Sequence, residues 1–200
     1  MKRKIITSIV LFVSVFMLNN INVLATDIDL PKEGFVKFIS DIDAFESVEK
    51  IDYTINNHNG FKSYMSYKKI TDKSSLQYEL QQNCYTDEEG FRRYNDYYCV
   101  AVGTAFDMQI GQHFDIILEN NTIIKCIVGD IKADIDTDKT NTFTAQGCCS
   151  EFLVETSKLN KTVKTMGDCS FLYEKWNSPC VSFTVYNLNT LFQKGGDNNE

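Results

Sequence analysis

A chain of 200 residues with 27 acidic and 20 basic residues carries a formal charge of −7 and is long enough for one domain with its own apolar core. Two prolines and ten glycines do not make a collagenous or low-complexity chain, and no basic stripe offsets the negative charge. Nucleic acid, itself a polyanion, is set aside as a partner.

The first element predicted is a signal peptide over residues 1–25. Lys2-Arg3-Lys4 is a basic head, the apolar run Ile5 to Leu18 ends at Asn19-Asn20, and Val23-Leu24-Ala25 supplies a small residue for cleavage. The run is shorter than the roughly 20 apolar residues of a membrane span. No cysteine stands at the cleavage site and no second long apolar run follows. A secreted protein beginning at Thr26, extracellular or wall-associated and without membrane contact after cleavage, is the expectation. It would keep 17 basic residues against 27 acidic ones, a formal charge of −10.

Residues 26–58 read as an acidic leader that closes in the turn cluster Asn56-Asn57-His58-Asn59-Gly60. Thr71 or Asp72 is expected to cap a short helix from Ser74 to Leu80, because Leu76 and Leu80 share a face. Strands follow. Phe91–Tyr94 and Tyr97–Val102 flank an Asn95-Asp96 turn, and Phe114–Leu118 and Thr122–Val128 flank Asn120-Asn121. Both read as hairpins, since Asn and Asp tolerate positive φ and the flanking runs are β-branched or aromatic. Two more strands are predicted, Cys149–Val154 and Val181–Tyr186, followed by a disordered tail at 188–200 whose end, Gln193 to Glu200, has nothing to bury. Period-two alternation places Val100, Val102, Ile116, Leu118, Ile124, Val128, Phe152 and Val154 inside. The fold class is mainly β, a small barrel or sandwich with a short helix.

All seven cysteines (Cys84, Cys99, Cys126, Cys148, Cys149, Cys169 and Cys180) follow the leader, and an odd count leaves one unpaired if the rest form disulfides. Cys99 and Cys126 read equally well as small buried apolar residues. No C-x-x-C pair is present, so zinc is not expected, and connectivity is not readable from spacing.

The stretch Asp130, Asp134, Asp136 and Asp138 crowds four carboxylates into nine residues. Mutual repulsion raises the pKa of at least one, which suits a general acid at a glycosidic bond; a solvated acidic loop is the plain alternative. Asp134-x-Asp136-x-Asp138 starts like a calcium loop, but Lys139 replaces the required glycine and Ala145 the bidentate glutamate. Asp168-Cys169-Ser170 looks like the nucleophile segment of cell-wall cysteine peptidases. That chemistry needs a later histidine, and His58 and His113 both come earlier, as lone residues expected at the surface. No phosphate loop or dinucleotide fingerprint is present, so no cofactor is expected.

Tyr98-Cys99-Val100-Ala101-Val102-Gly103-Thr104, Ile110-Gly111-Gln112-His113-Phe114-Asp115, Gly129-Asp130-Ile131-Lys132-Ala133-Asp134, Glu151-Phe152-Leu153-Val154, Met166-Gly167-Asp168 and Trp176-Asn177-Ser178-Pro179 resemble stretches of secreted or envelope proteins of low-GC Gram-positive bacteria. Their order looks like the double-psi β-barrel of the three-Asp ("3D") domain, rare lipoprotein A and the expansins. The resemblance implies a six-stranded barrel over residues 59–187 with a polar groove, and binding or cleavage of peptidoglycan or cellulose through aspartates. Asp130 is followed by Ile131-Lys132 where the 3D domain has an Asp-Thr-Gly turn, and its later aspartate is matched by Glu151. Two functions are expected from this. One is a glycan- or peptidoglycan-binding or structural module that stacks sugars on Tyr97, Tyr98, Phe106 and Trp176. The other is a lytic transglycosylase or glycosidase with Asp130 or Asp134 as proton donor and Glu151 or Asp136 in support.

Overall fold

The computed structural model describes residues 50–56 and 59–186. The expected signal peptide, most of the expected leader, His58 and the expected tail lie outside the described residues. Nine strands form one mixed sheet that is not closed: β1 (Lys50–Thr54), β2 (Ser63–Ser66), β3 (Tyr85–Thr86), β4 (Arg92–Tyr94), β5 (Tyr97–Val102), β6 (His113–Leu118), β7 (Ile123–Ile131), β8 (Ser150–Val154) and β9 (Cys180–Tyr186). Among the described residues two α-helices accompany them, α1 (Leu76–Gln82) and α2 (Lys161–Met166). The expected six strands are therefore nine. The additions are the short β2 and β3, and β1, which arises inside the acidic stretch and pairs antiparallel with β9.

Strand order along the sheet is β1-β9-β6-β7-β5-β4-β3. Both predicted hairpins form, β4–β5 around Asn95 at φ 49° and β6–β7 around Asn121 at φ 63°. The centre is β5, which pairs parallel with β7 along one edge and antiparallel with β4 and then β8 along the other. A second parallel pair joins β2 to β8. The β5–β7 ladder steps from Val100↔Val128 to Ala101↔Asp130, which makes Gly129 the extra residue of a bulge. A Cβ there would fall 2.6 Å from Leu153 Cδ1 and 3.2 Å from Cys99 Cβ, so glycine fits where a side chain does not.

One face of this curved sheet carries the main core, and all eight residues expected inside are in it, joined by Phe114, Phe183, Val185 and Phe91. Each fully buried aliphatic or aromatic side chain of this kind stabilises the fold by about 1.5–3 kcal/mol. The opposite face is covered by α1, whose Leu80 packs on Cys99, Ala101, Ile127 and Leu153. Helix α1 starts one turn later than Asp72 would allow. Ser75 is its cap, accepting from the Tyr78 N–H at 3.2 Å, while Asp72 accepts from the Ser74 N–H and hydroxyl in the preceding turn.

His113, expected at the surface, is 5 % exposed on β6, packs tilted against Tyr97 with ring centroids 3.8 Å apart, and its Nε2 has no hydrogen-bond partner. Burial lowers its pKa from 6.5 to about 4. The unfolded chain then binds more protons than the folded one between those values, so this contribution is whole above pH 6.5 and is lost as pH falls toward 4. The expected loss is about 2 kcal/mol. Melting curves at pH 7 and pH 4.5 test it: His113→Phe keeps a ring against Tyr97, cannot titrate, and should lose less stability on acidification than wild type. Equal losses would refute the assignment.

Candidate functional site

The bulge at Gly129 sets Asp130 opposite Ala101, and the other edge of β5 sets Glu151 opposite the same Ala101. Residues paired across neighbouring strands point to one side of a sheet, so both carboxylates rise on the α1 face, with the small Ala101 between them. Lys132, whose N–H bonds the Val102 carbonyl just past β7, turns its ammonium onto Glu151 Oε2. Both side chains of this ion pair are 11 % exposed. Asp130 Oδ1 accepts from the Ile131 N–H at 3.0 Å, and the Gln77 side chain of α1 also hydrogen-bonds this carboxyl. Burial raises the Asp130 pKa, against the pull of that N–H and of Lys132, with Glu151 adding to the rise. The site thus holds one carboxyl whose pKa burial raises beside one paired with a cation.

The rest of the acidic stretch does not join it. Asp134 accepts from the Thr104 hydroxyl at 2.6 Å on the surface, and Asp136 is exposed on the same short 3-10 turn. Asp138 accepts from the Thr140 hydroxyl and the N–H groups of Thr142 and Phe143, with its pKa lowered by those bonds. The raised acid comes from burial of Asp130, not from the crowding of four carboxylates that the spacing implies. No group of three His, Cys, Asp or Glu side chains among the described residues is arranged to hold a metal ion.

The four aromatic candidates separate. Phe106 and Trp176 are 4 % and 3 % exposed, the first packed on Tyr53 and Phe183, the second stacked on Phe152 at 5.2 Å. They are core rings with no face left for a sugar. Tyr98 is half-buried among Phe91, Phe152 and Trp176, under the Arg93 guanidinium at 3.6 Å. Tyr97 alone lies on the α1 face, beside His113.

Asp168-Cys169-Ser170 is a structural turn. Asp168 caps it, accepting from the Ser170 N–H and hydroxyl and from the Lys62 N–H, while Cys169 is fully buried with its thiol pushed up by burial. That is the opposite of an activated nucleophile. Sequence reasoning also passed over Lys62. It is 7 % exposed, and its ammonium donates to the carbonyls of Gly60 and Ser178 at 2.9 Å each and to that of Trp176. Three N–H donors meet three carbonyls, which joins the start of β2 to the loop before β9. Lys132 and Gln77 were missed as well: strand pairing across β5 brings Lys132 to Glu151, and the packing of α1 on the sheet brings Gln77 to Asp130. Comparison of the chain with models of known protein families, with curated proteins and with solved structures finds no match.

Proposed function

We propose that this is an exported, envelope-associated protein that binds wall glycan or peptidoglycan through the polar patch of Asp130, Lys132, Glu151 and Gln77. The observation that carries the reading is the row Asp130-Ala101-Glu151 across β7, β5 and β8, which presents carboxylates, an ammonium and an amide side by side over a small residue. Such a mix of donors and acceptors matches the hydroxyl-rich edge of a sugar. The basic head and apolar run at residues 2–18 support export. The two parallel strand pairs, β2–β8 and β5–β7, are the features in keeping with a relationship to double-psi barrels.

A second reading, general acid cleavage of a glycosidic bond, is favoured by one specific feature: the Asp130 carboxyl sits above its ordinary pKa next to Glu151. Purified peptidoglycan incubated with wild type and with Asp130→Asn separates the two. The binding reading expects co-sedimentation with the polymer, no soluble sugar released, and affinity reduced in the variant. Release of anhydro-sugar or reducing ends by wild type, falling roughly 10²- to 10⁴-fold in Asp130→Asn, would establish the acid instead. Neither retention nor release by wild type would refute both.

A further inference from the structure

Of the seven cysteines, Cys84 alone is not buried, and its sulfur lies 3.3 Å from that of Cys99. Cys84 follows α1 directly, and Cys99 projects from β5 into the cluster beneath that helix. The approach is built rather than incidental. Arg92 on β4 reaches under the end of α1, donating through Nε to Gln81 Oε1 at 3.1 Å, through Nη1 to the Thr86 hydroxyl at 2.9 Å, and through Nη2 to the carbonyls of Gln81 and of Cys84 itself. Its guanidinium rests on the Tyr67 ring at 4.4 Å. Buried and held by four hydrogen bonds, Arg92 fixes the segment carrying Cys84 against β5 and places positive charge beside the thiol.

We propose that Cys84 and Cys99 form a disulfide by thiol–disulfide exchange, with half-exposed Cys84 as the attacking sulfur and buried Cys99 as the resolving one. The electrostatics agree with that division of roles. A hydrogen bond from Cys99, aided by the Arg92 charge, lowers the Cys84 pKa, whereas the Cys84 contact and burial hold the Cys99 thiol well above its ordinary value. Burial raises Cys126, Cys148 and Cys169, which leaves them poor attackers.

The oxidant is an organic disulfide, R–S–S–R. The Cys84 thiolate attacks one of its sulfurs, forms the mixed disulfide and releases RS⁻. That thiolate takes the Cys99 proton, the Cys99 sulfur attacks the Cys84 sulfur, and a second RS⁻ leaves to pick up the proton that Cys84 had lost. Two protein thiols give up two electrons and two protons, and the oxidant becomes two RSH. Closure ties the C-terminal end of α1 to the central strand. This inference does not depend on the glycan reading.

The test uses the full chain, reduced, freed of reductant, treated with oxidised glutathione under native conditions and then alkylated. Arg92 and Arg93 lie between the two cysteines, and Lys125 separates Cys99 from Cys126, so trypsin yields peptides each holding one of the pair. The expected result is a Cys84–Cys99 cross-linked peptide, with loss of both singly alkylated peptides and a reversal by reductant. In Cys99→Ser the exchange should stop at the glutathione adduct on Cys84, and in Cys84→Ser Cys99 should remain an unmodified thiol. Cys84 bonded to any other cysteine, or both thiols still alkylated after treatment of wild type, would overturn the proposal; the wild-type map decides even if a variant does not fold.

Discussion

Phe91→Ala should cost about 4 kcal/mol of unfolding free energy, in the range found for emptying a buried aromatic site. At roughly 2–4 °C per kcal/mol for a chain of this size, its melting temperature should drop by about 10 °C. Phe91 has no exposed surface, and its ring centroid lies 5.4 Å from Tyr98, 5.3 Å from Phe152 and 5.9 Å from Trp176, each edge to face. Such contacts add to the burial term. The surroundings cannot easily collapse into the space, because the backbone around it is tied down: the Phe91 N–H bonds Asp87 Oδ1 at 2.8 Å, and Gly90, at φ 95°, lies so close to the 158–159 backbone that a Cβ would fall 2.4 Å from Leu159 Cα. Thermal melts of wild type, Phe91→Leu and Phe91→Ala check this. Leu should recover more than half of the loss, and a Phe91→Ala penalty below about 1 kcal/mol would mean that the aromatic cluster does not hold the sheet together.

The second large effect is expected at Lys62. Met matches the length of its stem but brings no donor, so Lys62→Met leaves the Gly60 and Ser178 carbonyls without their partner in a nearly closed site. The Trp176 carbonyl keeps the Ser178 N–H at 2.8 Å. One buried and one half-buried acceptor left without a donor make the expected loss about 3 kcal/mol, read as a lower urea midpoint with an unchanged slope. Burial already lowers the lysine pKa, and the three carbonyls stand around the ammonium in place of water. Arg should not rescue, since a planar fork cannot reproduce the three-way donation of a compact ammonium. A Met variant within about 0.5 kcal/mol of wild type would show that water replaces the ammonium at no cost.

Much of this arrangement is local, and that part was legible. The β6–β7 hairpin follows from two β-branched runs around Asn120-Asn121, and alternation alone put Val100, Val102, Ile116 and Ile124 in the core. What distant strands decide was not legible. Nothing in the run from Ile127 to Ile131 reveals that Gly129 will bulge against a parallel neighbour and lift Asp130 beside Glu151. Lysine reads as surface, so Lys62 was invisible until three carbonyls were seen to converge on it. Trp176 and Phe106 have the composition of a sugar platform and the location of a core, a distinction that only burial draws. The cysteine contact under α1 likewise depends on where Arg92 anchors the chain.

The pairing of the first described strand with the last fixes the order in which the molecule can assemble. Register joins Lys50 to Tyr186 and Ser63 to Glu151, whereas β4–β5 and β6–β7 join near neighbours in sequence. The two hairpins can form as soon as their own residues are free. The outer strand β1, by contrast, has no partner until residue 186 is released, because loop-closure entropy must be met before a long-range ladder returns anything. A chain emerging from the ribosome therefore reaches its last residues with its sheet unfinished. The β1–β9 ladder is therefore a late contact, closed only after both hairpins have had time to form.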